Sequence, residues 1–114
     1  MEDIVKTSEI IHQSGIISVT AILLGLPQED AGDIEDTLDL MERIKTSIFD
    51  INNFVPLPGT PLYDGLQVDW KKVGFKSFEN HFTENISKDA LKGYINRAYE
   101  IAGRTLKNFF EASQ

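Results

Sequence analysis

The chain has 114 residues, of which 41% are hydrophobic and 25% are charged, a composition that predicts one folded domain. Its formal net charge of -7 disfavours binding to nucleic acid or to an anionic membrane. The absence of cysteine excludes disulfides, thiol nucleophiles and cysteine-ligated metal sites within the chain. No apolar run approaches the roughly 20 residues of a membrane span, so we expect a cytoplasmic protein.

The first two predicted elements are a short helix and a buried strand. Apolar residues recur at roughly helical spacing between Glu2 and Gln13, and Gly15 is placed to end this helix in a left-handed cap. Residues 16–27, IISVTAILLGLP, are β-branched and nearly continuously apolar. That pattern predicts a buried strand with a parallel neighbour.

A second helix and a second strand follow. Residues 28–47 carry an apolar stripe at helical spacing, and Asp30 with Asp33 predicts an approximate capping box. The acidic side chains of this helix are interpreted as its solvated face rather than a metal site. Residues 48–55, IFDINNFV, predict a strand that alternates between two faces, with Phe49, Ile51 and Val55 on one and Asp50, Asn52 and Phe54 on the other.

The last part of the chain predicts a loop and a long helix. Residues 67–86 are aromatic-rich, and Trp70, Phe75, Phe78 and Phe82 either form a small core beneath a loop or line a substrate pocket. Ser87 is expected to cap a helix that keeps a 3.6-residue period to about Ala112. The prediction is therefore an α/β fold with two units: an α-β-α-β portion over residues 1–66, and a loop with a C-terminal helix over residues 67–114.

Polar residues inside the second strand point to function. Asp50 and Asn52 would destabilise a buried parallel strand unless they face partners or a solvated cavity. In a barrel they would face inward, near the carboxyl ends of the strands where barrel enzymes hold their sites. A purely structural alternative is that Asn52 hydrogen-bonds a neighbouring loop.

Two motifs resemble a known family. The turn Gly25-Leu26-Pro27-Gln28-Glu29-Asp30 ends the first strand, and residues 56–63, PLPGTPLY, follow the second. Together with the helix and strand between them, these motifs resemble the second half of the radical S-adenosylmethionine (radical SAM) core domain. The likeness is to the group called Fe-S oxidoreductases, many of which carry a cobalamin-binding domain. A looser likeness is Arg97-Ala98-Tyr99 in the last helix.

The resemblance implies a fold, cofactors and a site. It implies that residues 1–66 hold the last two strands of a partial (βα)6 TIM-like barrel, whose parent enzyme uses a [4Fe-4S] cluster and S-adenosylmethionine on a small-molecule substrate. The cluster would be held by a Cys-x3-Cys-x2-Cys loop in the missing N-terminal half of the barrel. The residues that the resemblance places beside the adenine are Leu23, Gly25, Phe54, Val55 and Pro56, and Asp50 and Asn52 would line the substrate cavity.

The departures from the family pattern limit what this chain does alone. Without cysteine it holds no cluster, so we expect no cofactor in the chain itself and no catalysis by it. Gln28 stands where the family has an acidic residue, and Ala21 replaces a glycine. Leu23 is an odd number of positions away from the polar residues Ser18 and Thr20, so strand alternation places it on the opposite face from them. This argues against an inward Leu23.

Two other functions remain open. The chain is alternatively a cofactor-free α/β interaction or assembly domain, or a piece of an unrelated (β/α)8 enzyme. Two parallel strands taken from a barrel have unpaired edges and an uncovered apolar face, and such edges pair readily with another chain. We therefore expect a homo-oligomer in which sheets join or helices exchange.

Overall fold

The structure, a computed structural model, describes residues 2–55 and 81–112. It has the order α1 (Glu2–Gln13), β1 (Val19–Leu24), α2 (Ala31–Arg43), β2 (Ile48–Asn53) and α3 (Lys88–Ala112). The two strands are parallel neighbours. The predicted α/β order with parallel strands is confirmed. Three predictions lie outside the described residues: the proline loop from Pro56, most of the aromatic segment, and the division between residues 66 and 67.

The ends of the helices follow from local sequence signals. Asp30 accepts a hydrogen bond from the backbone of Asp33, which accepts one from the backbone of Asp30, so the predicted capping box is present at α2. Ser87 Oγ accepts from the amide of Ala90, 3.1 Å away, at the start of α3. After α1, Gly15 adopts a φ of 77°, the left-handed conformation expected of a helix-ending glycine.

One face of the sheet packs on α2 and α3. The register pairs Ile22 with Ile51 and Thr20 with Phe49, so these side chains share a face. We call this the covered face. Its core contains the buried residues Ile22, Leu24, Ile34, Leu38, Met41, Phe49, Ile51, Ile86, Leu91, Ile95, Ala98 and Ile101.

The other face of the sheet is exposed, and we call it the open face. It carries Val19, Ala21 and Leu23 of β1 beside Asp50 and Asn52 of β2. The prediction of a strand buried throughout residues 16–27 is therefore wrong: within the described chain the helices cover one side of β1 only. The strand is also shorter than predicted, because Gly25 turns the backbone away after Leu24.

The second strand also ends earlier than predicted. Phe54 lies beyond β2 and is buried, although alternation placed it with the exposed Asp50 and Asn52. Its ring meets that of Phe82 edge-on, with centroids 5.9 Å apart. The prediction for Phe54 was wrong because strand alternation stops at Asn53.

At the amino ends of the strands, four hydroxyl side chains form what we call the hydroxyl cluster: Ser18, Thr20, Thr46 and Ser47. The hydroxyl of Thr20 donates to that of Thr46 at 3.0 Å, and the hydroxyl of Ser18 lies 3.1 Å from Thr46 Oγ1. The amide of Ser18 donates to Ser47 Oγ at 3.2 Å. Thr46 and Ser47 are buried, so the cluster satisfies polar groups that would otherwise destabilise the core.

Three consecutive residues attach α3 to three parts of the fold. Arg97 donates to both carboxylate oxygens of Glu35 on α2, at 2.9 and 3.3 Å. Ala98 is fully buried in the core, and the hydroxyl of Tyr99 lies 3.5 Å from the carbonyl oxygen of Ile51, to which it donates. The hydrogen bond from Arg97 lowers the pKa of Glu35, and the same contact raises the pKa of Arg97.

The first helix is attached more loosely than the others. Val5 is its one buried side chain among the described residues. Glu2 forms an ion pair with Arg43, and Ser8 Oγ accepts from the amide of Lys45 at 3.1 Å. None of the described helices combines the length and the apolar character needed to cross a membrane.

Candidate functional site

The candidate site lies where the two strands end. Because β1 and β2 are parallel, their carboxyl ends meet at the same edge of the sheet, which is where ligands bind in α/β folds. The register places Leu23 beside Asn52 and Ala21 beside Asp50 on the open face. Leu23 is 46% exposed, and the two polar residues are also exposed. An aliphatic side chain therefore adjoins a carboxylate and an amide.

The two polar residues contact each other. The amide nitrogen Nδ2 of Asn52 lies 3.3 Å from the backbone oxygen of Asp50 and 3.3 Å from its carboxylate oxygen Oδ2. Residues 52 and 50 are two apart on one strand, so they project from the same face. These bonds orient Asn52 along the strand. The loop after the second strand lies outside the described residues, so the structural alternative, in which Asn52 bonds a neighbouring loop, stays a prediction.

The argument from strand alternation against an inward Leu23 is wrong. It assumed that the polar side chains of β1 mark the inward face, but Thr20 lies on the covered face and bonds there to Thr46. Leu23 instead shares the open face with Asp50 and Asn52. A partly buried threonine with a hydrogen-bond partner is compatible with a core, so its polarity gives no information about which face binds ligand.

Gly25 is required at the end of β1 for two reasons. Its φ of +88° is a conformation that other residues rarely adopt. In addition, a Cβ at this position would lie 2.8 Å from Oδ1 of Asn53 and 3.4 Å from Cδ2 of Leu91. The carboxyl ends of both strands and the start of α3 therefore converge on a position that has room for backbone alone.

A carboxylate that the sequence analysis missed holds this turn. Oε1 of Glu29 accepts from the amide of Gly25 at 2.7 Å and from that of Leu26 at 3.3 Å. Charge-assisted bonds of this kind are stronger than neutral ones. Gln28 stands at the family's acidic position, and the next residue supplies the carboxylate that holds this turn. The signal available in the sequence was an acidic residue within a tight Gly-Leu-Pro turn.

A second missed residue joins the segment before α3 to the same turn. Thr83 is 2% exposed, and its hydroxyl donates to the backbone oxygen of Glu29 at 2.7 Å and accepts from the amide of Asn85 at 3.2 Å. Nδ2 of Asn85 donates to the backbone oxygen of Gln28 at 3.3 Å. No sequence signal predicted these contacts, since the partners are more than fifty positions apart.

The remaining predicted site residues are placed as follows. The side chain of Phe54 is buried and that of Val55 is partly buried, so these residues adjoin the site mainly through backbone. The amide of Phe54 already donates to the oxygen of Leu24 at 2.7 Å. Pro56 lies outside the described residues.

Two clefts flank opposite ends of the sheet. One, of about 400 Å³, is lined by Leu26, Pro27, Gln28, Glu29 and Asp33 and adjoins the candidate site. The other, of about 430 Å³, lies at the amino ends, among residues that include Lys45, Thr46 and Arg104. The first cleft is not lined by Leu23, Asp50 or Asn52, but it lies at their end of the sheet, because Glu29 both lines that cleft and binds the amide of Gly25.

The described residues do not assemble a metal site. Within residues 2–55 and 81–112, no three histidine, aspartate or glutamate side chains are grouped to hold a metal ion. The sequence contains no cysteine. An iron–sulfur cluster held by three thiolates therefore does not fit this chain.

Part of the chain is similar to two curated vertebrate proteins. It is 45% identical over 47 residues to the threonylcarbamoyladenosine tRNA methylthiotransferase of Xenopus laevis, which is 41% of this chain and 8% of that protein. It is 41% identical over 54 residues to the protein of the same name from Mus musculus, which is 47% of this chain and 9% of that protein. The chain thus spans less than a tenth of these relatives.

The other comparisons gave no match. No protein-family profile and no solved structure matched the chain. The relationship therefore rests on about half of the chain, and it supports the radical SAM resemblance at a coarse level.

Proposed function

We propose that the chain is the C-terminal part of a radical SAM core domain and forms one wall of the site that binds the adenosyl group of S-adenosylmethionine. Three observations support the proposal: the two turn motifs, the partial similarity to methylthiotransferases, which are radical SAM proteins, and the open face. The open face carries most weight, because it brings Leu23, Asp50 and Asn52 together at the carboxyl ends of parallel strands.

In this proposal the residues have distinct roles. Leu23 offers an aliphatic surface to the flat face of adenine, while the backbone of Gly25, Phe54, Val55 and Pro56 borders it. A site of mostly apolar groups with a few polar ones is typical for a small ligand. Asn52 lies at the same level as Leu23, Asp50 lies two residues further from the carboxyl end of β2, and both face the substrate cavity in this proposal. Glu29 keeps the amides of Gly25 and Leu26 oriented before ligand arrives.

The chain supplies a wall and not the reactive group. In the parent, a bound cluster would supply an electron for radical formation, and its thiolate ligands would belong to the N-terminal half of the barrel. The relatives are named for action on tRNA. We do not extend that substrate to this chain, because a net charge of -7 repels a phosphate backbone. Our proposal keeps a small-molecule substrate for the parent.

An NMR titration with S-adenosylmethionine or adenosine tests the proposal. With one wall of the site present, we expect millimolar affinity, roughly -4 kcal/mol. The amide shifts should concentrate at Leu23, Gly25, Leu26 and Val55. Two results would overturn the proposal: shifts confined to the amino ends of the strands, or no shifts at the highest ligand concentration that stays in solution.

Matched variants locate the binding surface. Leu23→Asn should abolish the shifts, because it replaces the aliphatic surface. Val19→Asn makes the same change on the same face at the other end of β1, so it should leave them unchanged. Equal loss in both variants would mean that the ligand contacts the open face without preference for the carboxyl ends.

The gene context gives an independent test. The proposal expects a Cys-x3-Cys-x2-Cys loop encoded in frame upstream of this segment or in a partner chain. In the 114-residue chain itself, reconstitution with iron and sulfide should yield no protein-bound iron–sulfur absorption. A stable cluster in this chain would contradict the assignment of the thiolates to the missing half.

A further inference from the structure

Exposed aliphatic side chains concentrate in one part of the chain. Of the nine large hydrophobic side chains that are exposed in the described residues, six belong to α1, β1 or the link between them: Ile4, Ile10, Ile16, Ile17, Val19 and Leu23. At the flank of the sheet formed by β1, Val19 is 63% and Leu23 46% exposed on the open face. Exposed apolar side chains that lie together on one face of a strand are typical of an interface.

The backbone of β1 presents a free edge at this flank. The amide of Ile48 donates to the oxygen of Ser18, and that of Phe54 donates to the oxygen of Leu24. In a parallel pair this pattern directs the even-numbered residues of β1 at β2 and the odd-numbered ones away from it. Within the described part of the chain, the amides and carbonyls of Val19, Ala21 and Leu23 therefore point outward.

The outer edge of β2 differs from that of β1. The hydroxyl of Tyr99 donates to the carbonyl oxygen of Ile51, so α3 already occupies part of the β2 edge. The edge of β1 is the more available of the two for pairing with another strand.

The edge of β1 lacks the usual protection against pairing. Natural edge strands carry charged residues, especially lysine, or proline. Residues 14–26 contain neither, although the chain as a whole carries 29 charged residues. Two copies with a net charge of -7 each repel one another, and this uncharged edge is where that repulsion is weakest.

We propose that the chain forms a homodimer in which β1 pairs with β1 of a second copy, antiparallel, about a twofold axis at Ala21. This register places Val19 opposite the partner's Leu23 and Ala21 opposite the partner's Ala21. The outward amides and carbonyls then make about six hydrogen bonds between the copies. The result is a four-stranded sheet, and the small side chain of Ala21 allows close approach at the axis.

The first helix lies on the covered side of the sheet. A cleft of about 330 Å³ between α1 and β1 is lined by Asp3, Ile4, Thr7, Ser8, Ile11, Thr20 and Ile44, and Thr20 belongs to the covered face. The pairing therefore depends on the backbone and the open-face side chains of β1. The dimer concerns the 114-residue chain by itself and does not rest on the proposed function; in the proposed parent barrel, a preceding strand would occupy this edge instead.

Sedimentation with a matched pair of variants tests the dimer. We expect the chain to dimerise at tens of micromolar, and Val19→Lys to raise the dimer dissociation constant at least about tenfold, because a charge would meet the partner's Leu23. Ile48→Lys places the same charge on the register partner of Val19, one strand away from the edge. This variant should change the dimer dissociation constant by less than about threefold. A clean monomer for the unaltered chain, or equal effects of the two lysines, would overturn the proposal.

Disulfide formation tests the register. The chain has no cysteine, so an introduced one is unique. Ala21→Cys should cross-link on mild oxidation, because directly opposed residues have Cα atoms about 5.5 Å apart, within the roughly 4.4–6.8 Å of a disulfide. Val19→Cys should not, since two copies of residue 19 would be more than about 13 Å apart. Mixing Val19→Cys with Leu23→Cys should restore the cross-link. The reverse pattern would exclude this register.

Discussion

The two ends of the sheet are held together by different means. At the amino ends, hydroxyl side chains bond one another as well as backbone, and Thr46 is the centre of the cluster. At the carboxyl ends, the contacts go mostly to backbone: Glu29 binds the amides of Gly25 and Leu26, and Thr83 binds the carbonyl of Glu29. The difference is one of partners: at the first end hydroxyls bond mainly within their own cluster and its backbone, whereas at the second end a carboxylate holds the strand-end amides in a fixed direction. Ordered amides beside the exposed Leu23 are what the proposed ligand site requires.

The largest effect should come from crowding the carboxyl ends. Gly25→Ala forces a left-handed φ on alanine and places a Cβ 2.8 Å from Asn53 Oδ1, so we expect a loss of about 2–4 kcal/mol in the free energy of unfolding. Urea denaturation measures it. Gly15→Ala is the matched control: its φ of +77° is similar, but no atom lies within 4 Å of the added Cβ. It should cost about 1–2 kcal/mol, and equal losses would mean that strain alone matters.

Removing the centre of the hydroxyl cluster should have the next largest effect. Thr46→Val keeps the shape but leaves the hydroxyls of Ser18 and Thr20 without their shared partner, which should cost about 1–2 kcal/mol. Thr37→Val on α2 removes a hydroxyl whose single bond, to the oxygen of Asp33, lies at the surface. We expect a loss below about 0.5 kcal/mol for it. If both cost the same in urea denaturation, the amino ends do not depend on the cluster.

A smaller effect is expected when the charge at the carboxyl ends is removed. Glu29→Gln keeps an oxygen acceptor for the amides of Gly25 and Leu26 but makes it neutral, so we expect a loss of about 0.5–1 kcal/mol. Hydrogen exchange of these two amides should become faster. Asp36→Asn, on the exposed side of α2, removes the same charge and should leave their exchange unchanged. Unaltered exchange in Glu29→Gln would show that the turn holds its shape without the carboxylate.

The smallest effect concerns a contact away from both ends. Arg97 lowers the pKa of Glu35 below its usual 4.5, so the stabilisation from this pair is present above that value and is lost as the pH falls through the lowered pKa. Both side chains are about half exposed, so the effect is small. The urea midpoints of the unaltered chain and Glu35→Gln should differ at pH 7 and converge at low pH. A constant difference would contradict the linkage.

Features with a local cause could be predicted from the sequence, and features set by distant contacts could not. The capping box of Asp30 and Asp33, the cap at Ser87 and the left-handed Gly15 depend on neighbours within a few positions. The open face of β1 could not be deduced, because Val19 and Leu23 are as apolar as the buried Ile22 and Leu24. What decides their exposure is where α2 and α3 pack.

The residues of the candidate site show the same distinction between local sequence signals and distant contacts. Asp50 and Asn52 were found as candidates because polar residues interrupt an apolar strand. Thr83 was missed because its partner Glu29 is 54 positions away, and nothing in either local sequence relates them. Leu23 was named through the family resemblance, and its neighbours on the open face became known from the register.

The attachment of α3 through Arg97, Ala98 and Tyr99 restricts how this sequence can change in length. Each residue of a helix turns the next by about 100°, so the three neighbours reach α2, the core and β2 in one rotational setting only. Inserting or deleting one residue between Lys88 and Asn96 would rotate all three contacts away from their partners. The same change beyond Ala112 would alter none of them. We therefore expect natural variants of this segment to gain or lose residues at the end of the last helix, and to keep the length of its first half.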